Sequence, residues 1–119
     1  MSKLEIHLER ARAYRQESHR LKDPGSLVEL WFLSTYHFIE ACAAKHRLHI
    51  QKHQRVPDEL RRNLRIFESN SARIIDAFQY LDFTARAKFV YVSSGTKADF
   101  ERARQCFETI EAICEEVLG

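Results

Sequence analysis

The sequence predicts an all-α fold, one domain built as an up-and-down bundle of four or five helices, and three observations carry that prediction. Only three Gly and two Pro interrupt 119 residues, so little stops long helices from forming. Apolar side chains recur at three- and four-residue spacing, without the sustained alternation of half-buried strands. With 45% hydrophobic and 30% charged residues, the composition is that of a chain able to bury a core. A single domain of this length buries about two thirds of its unfolded surface and needs no staple.

Residues 3 to 22 place Leu4, Leu8, Ala11, Tyr14 and Leu21 on one face, with Lys3, Glu9, Arg12, Arg15, Gln16 and Arg20 elsewhere, which predicts a first amphipathic helix. Lys22-Asp23-Pro24-Gly25 ends it in a short turn, and the next helix returns antiparallel. That second helix, Ser26 to Arg47, is the central element. Ser26 is the expected N-cap, with Glu29 closing a capping box. Between Leu30 and Ala44 the strongly polar side chains are Ser34, Thr35, His37 and Glu40, too few to wet half a helix, so the helix belongs inside. Glu29, His37, Glu40 and Arg47 share one narrow stripe of it. Two readings of His37 and Glu40 stay open: they turn inward to build a site, or they reach water at a seam or satisfy each other as an i,i+3 pair.

Leu48 to Val56 has no clean period and reads as a basic joint. Pro57, followed by Asp58 and Glu59, opens a third helix, continued by Leu60, Leu64 and Phe67. Glu68-Ser69-Asn70-Ser71 marks a break before a fourth helix with Ile74, Phe78, Leu81, Ala85 and Phe89 in one stripe. Val90-Tyr91-Val92 has local strand propensity but no partner run, and is expected to be a frayed helix end. After the turn Ser93-Ser94-Gly95, Thr96 with Asp99 caps a final helix bearing Phe100, Ala103, Phe107, Ile110, Cys114 and Val117. The apolar faces of the central and final helices look larger than one small bundle can cover. A homodimer through one of those two helices is therefore expected.

A net charge of +2 gives the whole molecule no affinity for nucleic acid, so any such role depends on where the charges sit. From Lys45 to Arg65 the cations Lys45, Arg47, Lys52, Arg55, Arg61, Arg62 and Arg65 face only Asp58 and Glu59. Lys52, Arg55, Arg61, Arg62 and Arg65 are the candidate phosphate-binding residues of RNA or a nucleotide, the alternative being a solvated helix face. The segment from Ala98 is acidic, with Asp99, Glu101, Glu108, Glu111, Glu115 and Glu116. His46, His49 and His53, with Glu40, suit a transition metal by type, but their spacing closes no ligand set, and neither metal nor cofactor is expected. Three glycines build no phosphate-cradling loop, and Ser34 before His37 lacks the strained elbow of a hydrolase nucleophile. Cys42, Cys106 and Cys114 sit among apolar residues as free thiols do, which suits a reducing compartment. The N-terminal run lacks the apolar core of a signal peptide, and no stretch is long enough to span a membrane, so a cytoplasmic location is expected.

The order of these features resembles the HEPN (higher eukaryotes and prokaryotes nucleotide-binding) family. The residues that carry the likeness are Trp31, Tyr36, His37, Glu40 and Ala41 on the central helix, then His49, His53 and Arg55. Leu81, Thr84, Arg86, Ala87 and Phe89, the turn at Ser93 to Thr96 and the last amphipathic helix continue it, so that it covers Ser26 to Leu118. The resemblance implies a helical bundle, commonly dimeric, of the kind found in RNA-cleaving toxins of toxin–antitoxin pairs and as partners of nucleotidyltransferases. Nucleases of the family carry an Arg-x4-6-His motif late in the chain. Here Arg86 is the matching arginine and the candidate catalytic residue, but Ala87 to Ser93 contains no histidine, and this departure favours binding over cleavage. The expected function is a dimeric module associated with RNA or nucleotide, with a nucleotidyltransferase as a candidate partner protein. The alternatives are a protein-interaction module without a nucleic-acid role, and a divergent ribonuclease.

Overall fold

The computed structural model describes residues 2–119, and in it the chain is all-α, with no strand among those residues. Its helices are α1 (Lys3–Ser18), α2 (Pro24–Lys45), α3 (Val56–Arg62), α4 (Ser71–Gln79) and α5 (Lys97–Leu118). Short 3₁₀ turns at His53–Arg55 and Glu68–Asn70 lead into α3 and α4. Beyond α4 the helix widens into π-helical turns at Tyr80–Ala85 and Ala87–Tyr91. The central element is α2, packed by α1 along one side and by α5 and the α4 segment elsewhere. Its Val28, Phe38, Ile39 and Cys42 are fully enclosed together with Ala11, Ile74, Phe78, Leu81, Ile110 and Cys114. Each large side chain so buried contributes about 1.5–3 kcal/mol.

The helix boundaries follow local chemistry, and in places it is not the chemistry expected. Asp23, not Ser26, caps α2: its Oδ2 accepts from the Ser26 backbone N–H and from the Ser26 hydroxyl, both at 2.9 Å. Pro24 can then take the first helical position, where a missing N–H costs nothing. Glu29 is thereby free of capping and turns to Arg86. The first helix stops at Ser18, whose hydroxyl donates back to the Arg15 carbonyl at 2.6 Å, rather than at residue 22. At Arg62 α3 ends, because the Asn63 side chain donates to the Glu59 carbonyl at 2.8 Å and closes the last turn. Leu64 is left 57% exposed as a result, not in line with the buried Leu60 and Phe67.

The last helix matches its expectation in detail. Thr96 and Asp99 form the reciprocal capping box, and Ala103, Phe107, Ile110 and Cys114 are buried along one stripe. Val90-Tyr91-Val92 forms no strand and lies exposed at the end of the π-helical turns. Phe89 anchors that end: a methyl group at Gly95 would run into its ring, and one at Gly25 would meet its carbonyl oxygen at 2.7 Å.

One inference from the sequence fails on burial. Among the described residues the exposed large hydrophobics are Leu64, Phe83, Val90, Tyr91 and Val92, and none belongs to α2 or α5. The apolar faces of those helices are covered by α1, by the α4 segment and by each other, so they give no reason for a second copy. No helix among the described residues is long and apolar enough to cross a membrane. All three cysteines are free, Cys42 and Cys114 buried and Cys106 half-buried.

Candidate functional site

The polar stripe of α2 opens into a seam of ionisable side chains running nearly the length of the helix. At its N-terminal end Glu29 meets Arg86, with Arg86 Nε 3.1 Å from Glu29 Oε2. Arg86 Nη1 also donates to Asp82 Oδ1 at 3.0 Å, a turn earlier in the π-helical segment. The guanidinium carbon stands 4.1 Å above the Phe32 ring, and Nη2 reaches the Tyr91 hydroxyl at 3.2 Å. Burial alone would lower the Arg86 pKa, yet the Glu29 and Asp82 carboxylates hold it above its ordinary value.

Asp82 is itself buried, and its other oxygen is 3.0 Å from His53 Nδ1. Because a carboxylate only accepts, His53 carries its proton on Nδ1 and leaves Nε2 for another partner. An imidazole oriented by a buried carboxylate is the pairing used by general bases. His53, from the 3₁₀ turn before α3, is thus linked to Arg86 through Asp82.

Farther along the seam His53 faces the Tyr36 ring edge-on at 6.4 Å, and the Tyr36 hydroxyl donates to Glu40 Oε2 at 3.2 Å. Glu40 is 1% exposed. Its carboxylate accepts from the backbone N–H groups of Ile50 at 2.9 Å and Gln51 at 3.3 Å, so it ties the joint after α2 to the helix core. His49 Nδ1 lies 3.5 Å and His7 Nε2 3.9 Å from the same Oε2. His7 in turn meets His37, with their Nδ1 atoms 2.9 Å apart, and the Tyr14 ring also stacks on His37. Burial, with the His7 ring beside it, holds His37 down at about 4, and burial lowers His7 against the opposing pull of Glu40. Tyr36 is raised, first by burial and then by the Glu40 charge.

Of the two residues left open, Glu40 turns inward and is buried, while His37 stays half-buried at the seam with α1. The two do not pair with each other; each finds partners from α1 or the joint. His46, His49 and His53 do not converge: His49 turns to Glu40, His53 to Asp82, and the His46 backbone carbonyl accepts from Arg65. Lys52, Arg55, Arg61, Arg62 and Arg65 all lie exposed on the joint, α3 and the turn after it. Arg55 and Arg62 reach Glu59 at 3.4 and 3.6 Å, and Arg61 reaches Asp58 at 3.3 Å. His7, Asp82 and the role of Glu29 were not read from the sequence. The signal for His7 was present in the hairpin: His7 and His37 each lie 15 residues from Lys22, so folding the chain back at that turn sets them opposite each other.

No protein-family model, curated protein or solved structure matches the chain.

Proposed function

We propose that the chain is a dimeric helical module, similar to HEPN domains, that binds RNA or a nucleotide through its phosphates. The observation that supports this most directly is the exposure of Lys52, Arg55, Arg61, Arg62 and Arg65 along one stretch that holds only Asp58 and Glu59 as counter-charges. The side chains of Arg55, Arg61 and Arg62 are all more than half exposed, and ion pairs made at the surface contribute about 1 kcal/mol or less. A phosphate, which takes the arginine fork bidentately, displaces carboxylates held that weakly. Self-association is supported by Phe83, Val90, Tyr91 and Val92, exposed on and beside the π-helical turns. A nucleotidyltransferase as partner rests on the family resemblance alone.

A second reading, a divergent ribonuclease, is favoured by the His53–Asp82–Arg86 chain. In that reading His53 moves the proton and Arg86 sits beside it.

The test is a filter-binding titration of short single-stranded RNA at two salt concentrations, with a gel assay for cleavage alongside. Binding that weakens steeply with salt, and is lost in the Arg61→Glu/Arg62→Glu variant while helicity is kept, is the expected result. Binding indifferent to those reversals overturns the phosphate-contact reading. Cleavage that disappears in His53→Ala establishes the second reading.

A further inference from the structure

We propose that His7, Glu40 and His49 form a binding site for a divalent transition-metal ion such as zinc, where α1 meets the end of α2 and the joint that follows. One donor atom from each of the three lies within 4.8 Å of the other two. Two imidazole nitrogens and one carboxylate oxygen suit zinc, cobalt or nickel, and are a poor set for calcium or magnesium, which take oxygen.

The separations are close to those of ligands around a single ion. His7 Nε2 and His49 Nδ1 face the same Glu40 oxygen from 3.9 and 3.5 Å. Those distances are too long for good hydrogen bonds. They are only slightly wider than the roughly 3.3 Å between ligand atoms that sit about 2.0–2.1 Å from a tetrahedral ion. His49, with its side chain 40% exposed, has room to make that adjustment.

The supporting contacts are of the kind that orient metal ligands. Ile50 N–H, Gln51 N–H and the Tyr36 hydroxyl fix the Glu40 carboxylate. His37 fixes the His7 ring through the 2.9 Å contact between their Nδ1 atoms, which share a single proton. With that proton on His7, its Nε2 presents a lone pair toward Glu40, the tautomer that binds a cation. Three protein ligands, with His49 on the solvent side, leave a fourth position for water, as in open zinc sites.

The proposal replaces the expectation of a metal-free chain, which considered only His46, His49 and His53 with Glu40. The missing ligand comes from α1.

The experiment is titration of the chelator-stripped chain with zinc by calorimetry, and with cobalt by visible absorption, which reports coordination geometry. The expected result is one ion per chain and a cobalt spectrum of a four- or five-coordinate site. His7→Ala and His49→Ala should abolish both signals, and His37→Ala, acting through His7, should weaken binding about 10-fold. His46→Ala should leave binding unchanged, with circular dichroism confirming the fold of every variant. Absence of saturable binding, undiminished binding by folded His7→Ala, or loss on His46→Ala overturns the assignment.

Discussion

Arg86 lies over Phe32, its guanidinium carbon 4.1 Å from the ring centre, with Glu29 on one side of it and Asp82 on the other. This joins the π-helical turns to α2 by charge, fork geometry and a cation–π contact together. Truncating it leaves the buried Asp82 carboxylate with His53 alone. Arg86→Ala should therefore lower unfolding free energy by about 3 kcal/mol, the range for breaking a largely buried pair. Arg86→Lys should recover less than half of that, because an ammonium keeps the charge but cannot span both carboxylates. Urea denaturation followed by circular dichroism measures both, and an Arg86→Ala variant as stable as the parent would show the contacts to be incidental.

The exposed side chains beside Arg86 carry the expectation of self-association. Phe83 is 60% exposed, and Tyr91 and Val92 are 68% exposed. Isolated exposed apolar residues are ordinary, whereas several along one segment are, under the proposed function, the candidate surface for a second copy. A dimer by light scattering at micromolar concentration is expected, and Phe83→Lys with Val92→Lys should return it to monomer. A monomeric parent would remove the dimer from the proposed function and leave phosphate binding to be judged separately.

What the sequence made legible was whatever depends on neighbours along the chain. The Thr96–Asp99 box and the buried row from Ala103 to Cys114 are set within one helix, and the spacing alone locates them. At the start of α2 Ser26 and Asp23 both qualify as the cap by type, and Pro24 between them decides for Asp23. The seam was legible only on its α2 side. Glu40 and His37 stood out as polar residues on an apolar helix, but their partners come from Ile50, Gln51 and His7, and those depend on how a joint without periodicity folds back. For the same reason a spacing motif around Arg86 registers nothing of His53, whose contact is made through Asp82.

The thiols should report the packing directly. Cys42 and Cys114 are fully buried, and the Cys42 Sγ lies 3.7 Å from the Cys114 carbonyl. Burial pushes the Cys114 thiol well above its ordinary value, and burial also raises half-buried Cys106. Because the thiolate is the reactive form, a thiol reagent at mildly alkaline pH should label the native chain slowly and only at Cys106. All three should react at once in guanidinium. Prompt labelling of Cys42 or Cys114 in the native state would mean that the α2–α5 contact opens readily.

The contact between α1 and α5 should make the fold sensitive to acid in a defined direction. Arg12 reaches Glu115 at 2.9 Å, and Arg15 reaches Glu111 at 2.9 Å and Glu115 at 3.3 Å. Burial alone would raise the Glu115 carboxyl, but Arg12 and Arg15 prevail and hold it below its ordinary 4.5. A carboxyl depressed in the folded state contributes stability that is fully present above its unfolded pKa and is lost as pH falls through the folded one. The decline assignable to this pair should therefore begin near pH 4.5 and continue below it. Replacing Arg12 and Arg15 with Gln removes the cations that cause the depression, so the double variant should lose about 1 kcal/mol at neutral pH. The deficit should shrink on acidification, because the parent loses in acid what the variant never had. Unfolding free energies of the two proteins at neutral pH, pH 4 and pH 3 decide the matter, and a deficit that stays constant across that series would mean that Glu115 titrates as it does in the unfolded chain.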